Sequence, residues 1–224
     1  MSRLRRFVPY LILLLPVIAI LILKQGKNVY KTLPYIGNYK GLKPNGDTIY
    51  HQIPNFSLTD QYGKAFGFDD LKGKTYVANF IFTRCNTICP EITRNLKVIQ
   101  DEYKDVKDFL IVSITLDPKY DAPEILHRFA TKYDVNNKNW HFLTGSRDTI
   151  AWLMNKDGFL MVPPLPNPQD PVQIQHTEIV ALVDKDGYIR GHYDGTSLQE
   201  IDRLKDEVKV LYHSYGEAAK RDKR

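Results

Sequence analysis

The chain has 224 residues, of which 43% are hydrophobic and 25% charged, a composition that supports a core and suits one domain with extensions. Its formal net charge is +5, but Arg3, Arg5 and Arg6 cluster at the start, and without them 28 basic residues face 26 acidic ones. That balance is too even for a nucleic-acid-binding surface, and a total of two cysteines rules out both a disulfide-dense mini-protein and a zinc site with four cysteine ligands from one chain.

Residues 1–6 read as a short cytoplasmic tail. Residues 7–23, FVPYLILLLPVIAILIL, carry no charge and are just long enough for a spanning helix, in which Pro9 and Pro16 are tolerated. The run is followed by Lys24, Gln25, Gly26 and Lys27, not by the small-residue site that a cleaved signal peptide needs, so an uncleaved single-pass anchor is expected. Arginines precede it and Lys24, Lys27 and Lys31 follow it, so nearby charge barely sets its orientation. The short tail before it and the large domain after it favour an inward-facing N-terminus, with the domain outside the cytoplasm. Residues 24–50, broken by Pro and Gly, are expected to form a tether with at most one short strand.

The folded domain is expected over residues 51–214, with a charged tail at 215–224. IPNFSLTDQYGKAF suggests a hairpin turning at Asp60 to Lys64. TYVANFIFT, residues 75–83, is apolar on both faces, as a central buried strand is. Past Pro90, Ile92, Leu96, Val98, Ile99 and Tyr103 fit one helical face. Residues 109–116 predict a second buried strand, residues 123–133 a helix with proline in its first turn, and residues 147–155 a short helix. Five prolines between Val162 and Val172 exclude helix or central strand there, leaving a long loop. A hairpin follows, turning at Asp184 to Gly187. The last helix opens on a capping box of Ser197 and Glu200 and carries an apolar stripe of Leu198, Ile201, Leu204, Val208 and Leu211. The order of hairpin, strand, helix, strand, helix, helix, long loop, hairpin and helix suggests an α/β, thioredoxin-like core.

Both cysteines, Cys85 and Cys89, lie where the first buried strand hands over to a helix. Unpaired N–H groups and the helix dipole there favour a thiolate, which is both a nucleophile and a metal ligand. Three readings stay open on these residues alone. A structural disulfide would close a very short loop with little entropic gain. A thiol–disulfide exchange pair differs from the usual C-x-x-C by one residue. A soft-metal site with two thiolates suits copper, particularly Cu(I), and needs a third ligand. Of six histidines, His127 reads as solvated, His141 as a packing residue, and His51, His192 and His213 as bland. His176 closes the proline-rich loop, which in a thioredoxin-like core runs beside the cysteine turn, and is therefore the best candidate ligand.

These residues resemble the Sco/SenC family, the membrane-tethered copper chaperones of cytochrome c oxidase assembly. Phe82 to Cys85 with Cys89-Pro90 is similar to its F-x-x-C-x-x-x-C-P motif; Asp117-Pro118 with Asp121 and Pro123 resembles its D-P-x-x-D-x-P stretch; and His176 matches the position of its histidine ligand. The resemblance runs from about Ile53 to Leu211. It implies one copper ion, Cu(I) or Cu(II), held by Cys85, Cys89 and His176 and passed to the CuA centre of oxidase subunit II. It further implies an upstream copper donor or thiol reductant as partner, and a bacterial inner-membrane location with the domain in the periplasm. The alternative is a thiol–disulfide oxidoreductase using Cys85 and Cys89 on the cysteines of that subunit or of another extracytoplasmic protein; a peroxidase ranks behind both. Many members carry an acidic residue between the cysteines, where this chain has Asn86, Thr87 and Ile88, which implies a less negative site. Asp117, directly after the second buried strand, is expected near the site as the group orienting the ligand histidine, or else as the cap of the following turn.

Overall fold

Seven consecutive buried residues make the strand Thr75–Ile81 (β5), and seven more make Phe109–Thr115 (β6). Alternate side chains of a strand point to opposite faces, so both faces must be covered by other elements. The computed structural model describes residues 32–37, 40–42, 46–135, 138–155, 157–161 and 177–221. Among them β5 and β6 pair in parallel at the centre of a seven-stranded sheet. Outside β6 lie Trp140–Thr144 (β7), in parallel, and then the antiparallel hairpin Ser57–Asp60 (β3) and Ala65–Gly67 (β4). Outside β5 lies the antiparallel hairpin Ile179–Val183 (β8) and Ile189–Asp194 (β9), so the order is β4-β3-β7-β6-β5-β8-β9. A separate two-stranded ribbon pairs Gly41–Leu42 (β1) with Thr48–Ile49 (β2).

The helices are Phe68–Leu71 (α1), Ile88–Glu102 (α2), Pro123–Lys132 (α3), Arg147–Met154 (α4) and Leu198–Arg221 (α5). Val77 and Ile81 of β5 face Ile92, Leu96 and Ile99 of α2, together with Leu126 of α3 and Leu204 and Val208 of α5. Tyr76, Ala78 and Phe80 point the other way, into a second core with Ile150 and Leu153 of α4 and the following Phe159 and Met161. The expected α/β class and the main expected elements are present. The strand β7 is an addition to the expected order: it is only five residues long, and pairing with β6 and β3 is what makes it a strand. Two expected stripe residues face outward, Val98 and Leu198, at 50% and 63% exposure. Only half of the capping box forms, with Glu200 N–H donating to Ser197 Oγ at 3.4 Å, because the Glu200 carboxylate turns to Arg203 instead.

The stretch expected as a tether joins the domain from Leu33 onward. Arg190 on β9 and Asp184 form a buried ion pair at 2.7 Å, and the guanidinium Nη2 and Nε donate to the carbonyl oxygens of Leu33 and Pro34. The same guanidinium lies 4.1 Å from the centre of the Tyr35 ring, and Ile36 N–H donates to Ile189 O. A buried guanidinium needs acceptors for its donors, and two main-chain carbonyls and the Asp184 carboxylate supply three here. The last helix likewise continues past the expected boundary, to Arg221. Residues 1–31, with the expected cytoplasmic tail and anchor, the proline-rich loop at 162–172, and His176 lie outside the described residues. Among the described residues no helix is long and apolar enough to cross a membrane.

Two histidines hold the turn after α4. His51 Nε2 meets Gly158 O at 2.7 Å and His192 Nε2 meets Phe159 O at 3.1 Å. Burial lowers the pKa of His192, only partly offset by the Phe159 carbonyl. The unfolded chain therefore takes up a proton that folded His192 refuses, so its contribution to stability is present above about pH 6.5 and is lost as the pH falls below it. Urea unfolding at pH 7, 6 and 5 should show falling stability, with a shallower fall in His192→Gln, which keeps a donor for Phe159 O; equal slopes would contradict this assignment.

Candidate metal centre

The cysteine turn begins where β5 runs out of partners. Leu116 N–H donates to Ile81 O at 2.7 Å, the last ladder bond between β5 and the β6 side. Phe82 and Thr83 then lead into a tight turn in which Cys85 N–H donates to Phe82 O at 3.1 Å. Helix α2 starts at Ile88 behind the N-cap residue Thr87, whose side chain makes no capping bond. The first N–H groups of a helix lack partners within it. Pro90 has none to place, and Cys89 N–H points at Cys85 Sγ, 3.5 Å away. The Thr87 hydroxyl also lies 3.5 Å from Cys85 Sγ. The sulfur of Cys85 thus serves as the acceptor that a capping oxygen normally provides.

Both cysteines are buried, at 5% and 3% exposure, and no disulfide joins them. Their acidities diverge. Burial pushes the Cys85 thiol up, but the hydrogen bonds from Cys89 and Thr87 together outweigh it and lower its pKa. Burial pushes Cys89 up to about 12, with Cys85 and Asp121 adding to the rise. Cys85 is therefore the thiol prepared to ionise, and Cys89 is the one held neutral until a partner takes its proton. Asn86 and Thr87 between them are exposed.

The helix is placed by close packing on the sheet. Ile92 lies against Val180 and Tyr193 in the core, and a Cβ at Gly195 would come within 3.0 Å of Ile92 Cγ2 and 2.8 Å of Val180 Cγ2. Only glycine lets the end of β9 come this near. Asn95 Nδ2 then donates to Gly195 O at 2.9 Å, pinning the helix that carries Cys89 to the hairpin that follows the His176 segment.

Two carboxylates from the turn after β6 flank the cysteines. Asp117, expected near the site, is near it: its carboxylate is paired with Arg84, the residue before Cys85, and the guanidinium lies 4.6 Å from the centre of the Tyr120 ring. Its main chain caps the local turn as well, through Tyr120 N–H and Asp121 N–H to Asp117 O. Asp121, by contrast, is fully buried and receives Thr83 N–H, the Thr83 hydroxyl and the Thr115 hydroxyl. Its burial was not singled out from the sequence, although the resemblance to D-P-x-x-D-x-P included it; an aspartate is seldom fully buried unless its oxygens find partners.

Among the described residues no three or more His, Cys, Asp or Glu side chains stand close enough to hold a metal ion. His141 stacks on Phe66 at 4.3 Å, and His127 is half-buried, 5.3 Å from the Tyr62 ring, not solvated as expected. The two sulfurs suit a soft monovalent ion such as Cu(I), and they equally suit reversible disulfide chemistry.

A family model described as SCO1/SenC matches residues 46–212. The chain is 35% identical to a SCO1/SenC family lipoprotein from Bacillus anthracis, over 72% of this chain and 95% of that one, with a TM-score of 0.64. It is 30% identical to BsSco, described as a member of the Sco family of cytochrome c oxidase assembly proteins in which a disulfide switch was identified, over 79% and 96% of the two chains, with a TM-score of 0.61. It is 25% identical to yeast Sco1 solved with copper bound, over 71% and 89%, with a TM-score of 0.55.

In the reduced, metal-free chain Cys85 should alkylate first. Iodoacetamide labelling followed by peptide mass mapping should give Cys85 a rate midpoint below the ordinary thiol range and leave Cys89 slow up to about pH 12. Equal rates for the two thiols at neutral pH would contradict the assignment.

Proposed function

The chain belongs to the SCO1/SenC family, and from that premise we propose that it is a membrane-anchored copper chaperone that binds one copper ion through Cys85, Cys89 and His176 and delivers it to the CuA centre of cytochrome c oxidase subunit II. The observation that supports this reading best is the pair of buried thiols at the start of α2, where one sulfur already accepts the N–H of the other cysteine. Two thiolates and one imidazole match the preferences of copper, and thiolates favour Cu(I). The reading is further supported by the copper-bound relative and by the oxidase-assembly description of another.

Copper is the cargo in this reading. The lowered pKa of Cys85 favours a first Cu–S bond there, and Cys89 loses its proton on binding, so uptake releases protons and strengthens with pH. His176 completes a three-coordinate site that an incoming thiolate from the recipient can attack. Delivery then proceeds by stepwise ligand exchange, with His176 leaving early. Residues 7–23 serve as the anchor, with the domain on the periplasmic side of a bacterial inner membrane, and copper or reducing equivalents come from an upstream donor.

A second reading is favoured by one observation, the opposed acidities of the two thiols. An ionisable Cys85 beside a neutral, buried Cys89 also suits a thiol–disulfide oxidoreductase in which Cys85 attacks and Cys89 resolves. The cysteines of subunit II are the proposed substrate.

Titrating the reduced protein with copper separates the two. About one copper per chain is expected, with Cys85→Ser and Cys89→Ser abolishing tight binding. His176→Ala should weaken Cu(II) binding and alter its absorption and electron spin resonance spectra; an unchanged spectrum and affinity would remove His176 from the ligand set. Fast reduction of a CuA-type disulfide peptide by metal-free protein, together with negligible copper affinity, would replace the first reading with the second.

A further inference from the structure

Residues 82–87 lie beyond the last ladder bond of β5, so something other than the sheet must hold the cysteine turn in place. The side chain that does so is Asp121. It is fully buried, and among the described residues no ion pair reaches it. One carboxylate oxygen accepts Thr83 N–H at 3.1 Å and the Thr115 hydroxyl, and the other accepts the Thr83 hydroxyl. Thr115 ends β6, and Thr83 stands two residues past the end of β5 and two before Cys85. The carboxylate therefore bridges the ends of two neighbouring parallel strands where their own hydrogen bonds stop. A desolvated carboxylate whose partners among the described residues are hydroxyl and amide donors is a demanding arrangement. Thr83 is gripped by both its backbone and its side chain, so the point from which the chain turns into Cys85 is fixed. The neighbouring Arg84–Asp117 pair adds less, because the arginine side chain is exposed and such pairs are weak.

We propose that Asp121 is the positioning residue of the cysteine turn: by holding Thr83 against Thr115 it fixes the approach of Cys85 to Cys89, and so sets how readily the two sulfurs meet, across a disulfide or on one metal ion. The proposal rests on the dithiol being the working group, as in the function proposed above, but its test needs no copper. Oxidation by the cyclic disulfide of dithiothreitol takes one electron and one proton from each cysteine. It joins the two sulfurs and converts the reagent to its dithiol. A turn that is loosened presents one thiol to the other at lower effective concentration, so the disulfide forms less favourably.

The full-length, metal-free chain in detergent is equilibrated in dithiothreitol redox buffers at pH 7, and the oxidised fraction is read by alkylation and mass. Thr83→Val and Asp121→Asn should each lower the equilibrium constant for disulfide formation by about tenfold or more, about 30 mV for a two-electron couple. Thr83→Ser, which keeps the hydroxyl, should stay within about twofold of wild type, as should Asp101→Asn, which removes an exposed carboxylate paired with Lys97 on α2. An unchanged constant in Thr83→Val, whatever happens to its melting temperature, would overturn the proposal and leave Asp121 a purely structural residue. A shift in Asp121→Asn without one in Thr83→Val would also overturn it, since charge and not the latch would then be responsible. Should Asp121→Asn fail to fold, Thr83→Val decides alone. Loss of copper binding in the titration leaves this constant untouched, so the two proposals fail separately.

Discussion

A helix cannot satisfy its own first N–H groups, and in this protein a sulfur meets that need. Cys85 Sγ accepts Cys89 N–H at the start of α2, where the N-cap residue offers no side-chain acceptor. The arrangement ties three things together: where the helix starts, how the two cysteines face one another, and which of them ionises. Hydrogen bonds donated to a sulfur stabilise its thiolate, and here they overcome the burial that acts in the opposite direction. At Cys89 burial dominates, with Cys85 and Asp121 adding to it, and a hydrogen bond with the Phe82 main chain offsets only part of the rise.

The rest of the molecule keeps that turn where it is. Strands β5 and β6 are buried on both faces, so their ends are rigid points. Asp121 joins those ends just past the last ladder bond, and the close approach at Gly195 seats α2 against the sheet. The buried Asp184–Arg190 pair clamps Leu33 and Pro34 to the hairpin β8–β9. Both proposed functions, copper chaperoning and thiol exchange, draw on this geometry, since each needs two thiols held together at one helix start.

The strands β5 and β6, the helix α2 and both hairpins were legible because each has a strong local signal: an unbroken apolar run, an apolar face at helical spacing, or a turn rich in Asp and Gly. Gly187, with a φ of 82°, sits in one of those turns, where a left-handed backbone favours glycine. A strand start at Trp140 was legible, but β7 did not enter the expected order of elements, because its place comes from pairing with β6 and β3, residues far away in the chain. Val98 and Leu198 fit apolar stripes by spacing, yet they face solvent, because the breadth of a helix's buried face depends on what packs against it. The tether was legible only as irregular, since its contacts are made by Arg190, more than 150 residues later.

For the candidate site, residue types and spacing determined that two thiols stand at a strand-to-helix junction, and the family resemblance added His176 and the two aspartates of its motifs. Those are local facts: the apolar run that ends before Cys85, the Pro90 that opens a helix, the D-P-x-x-D spacing. Only the tertiary structure decided that Asp117 pairs with Arg84, that Asp121 is sealed under the turn, and that Cys85 and Cys89 differ in acidity. Each of those follows from burial and from hydrogen-bond partners brought in by other strands and turns, and neither quantity has any value until the chain is folded.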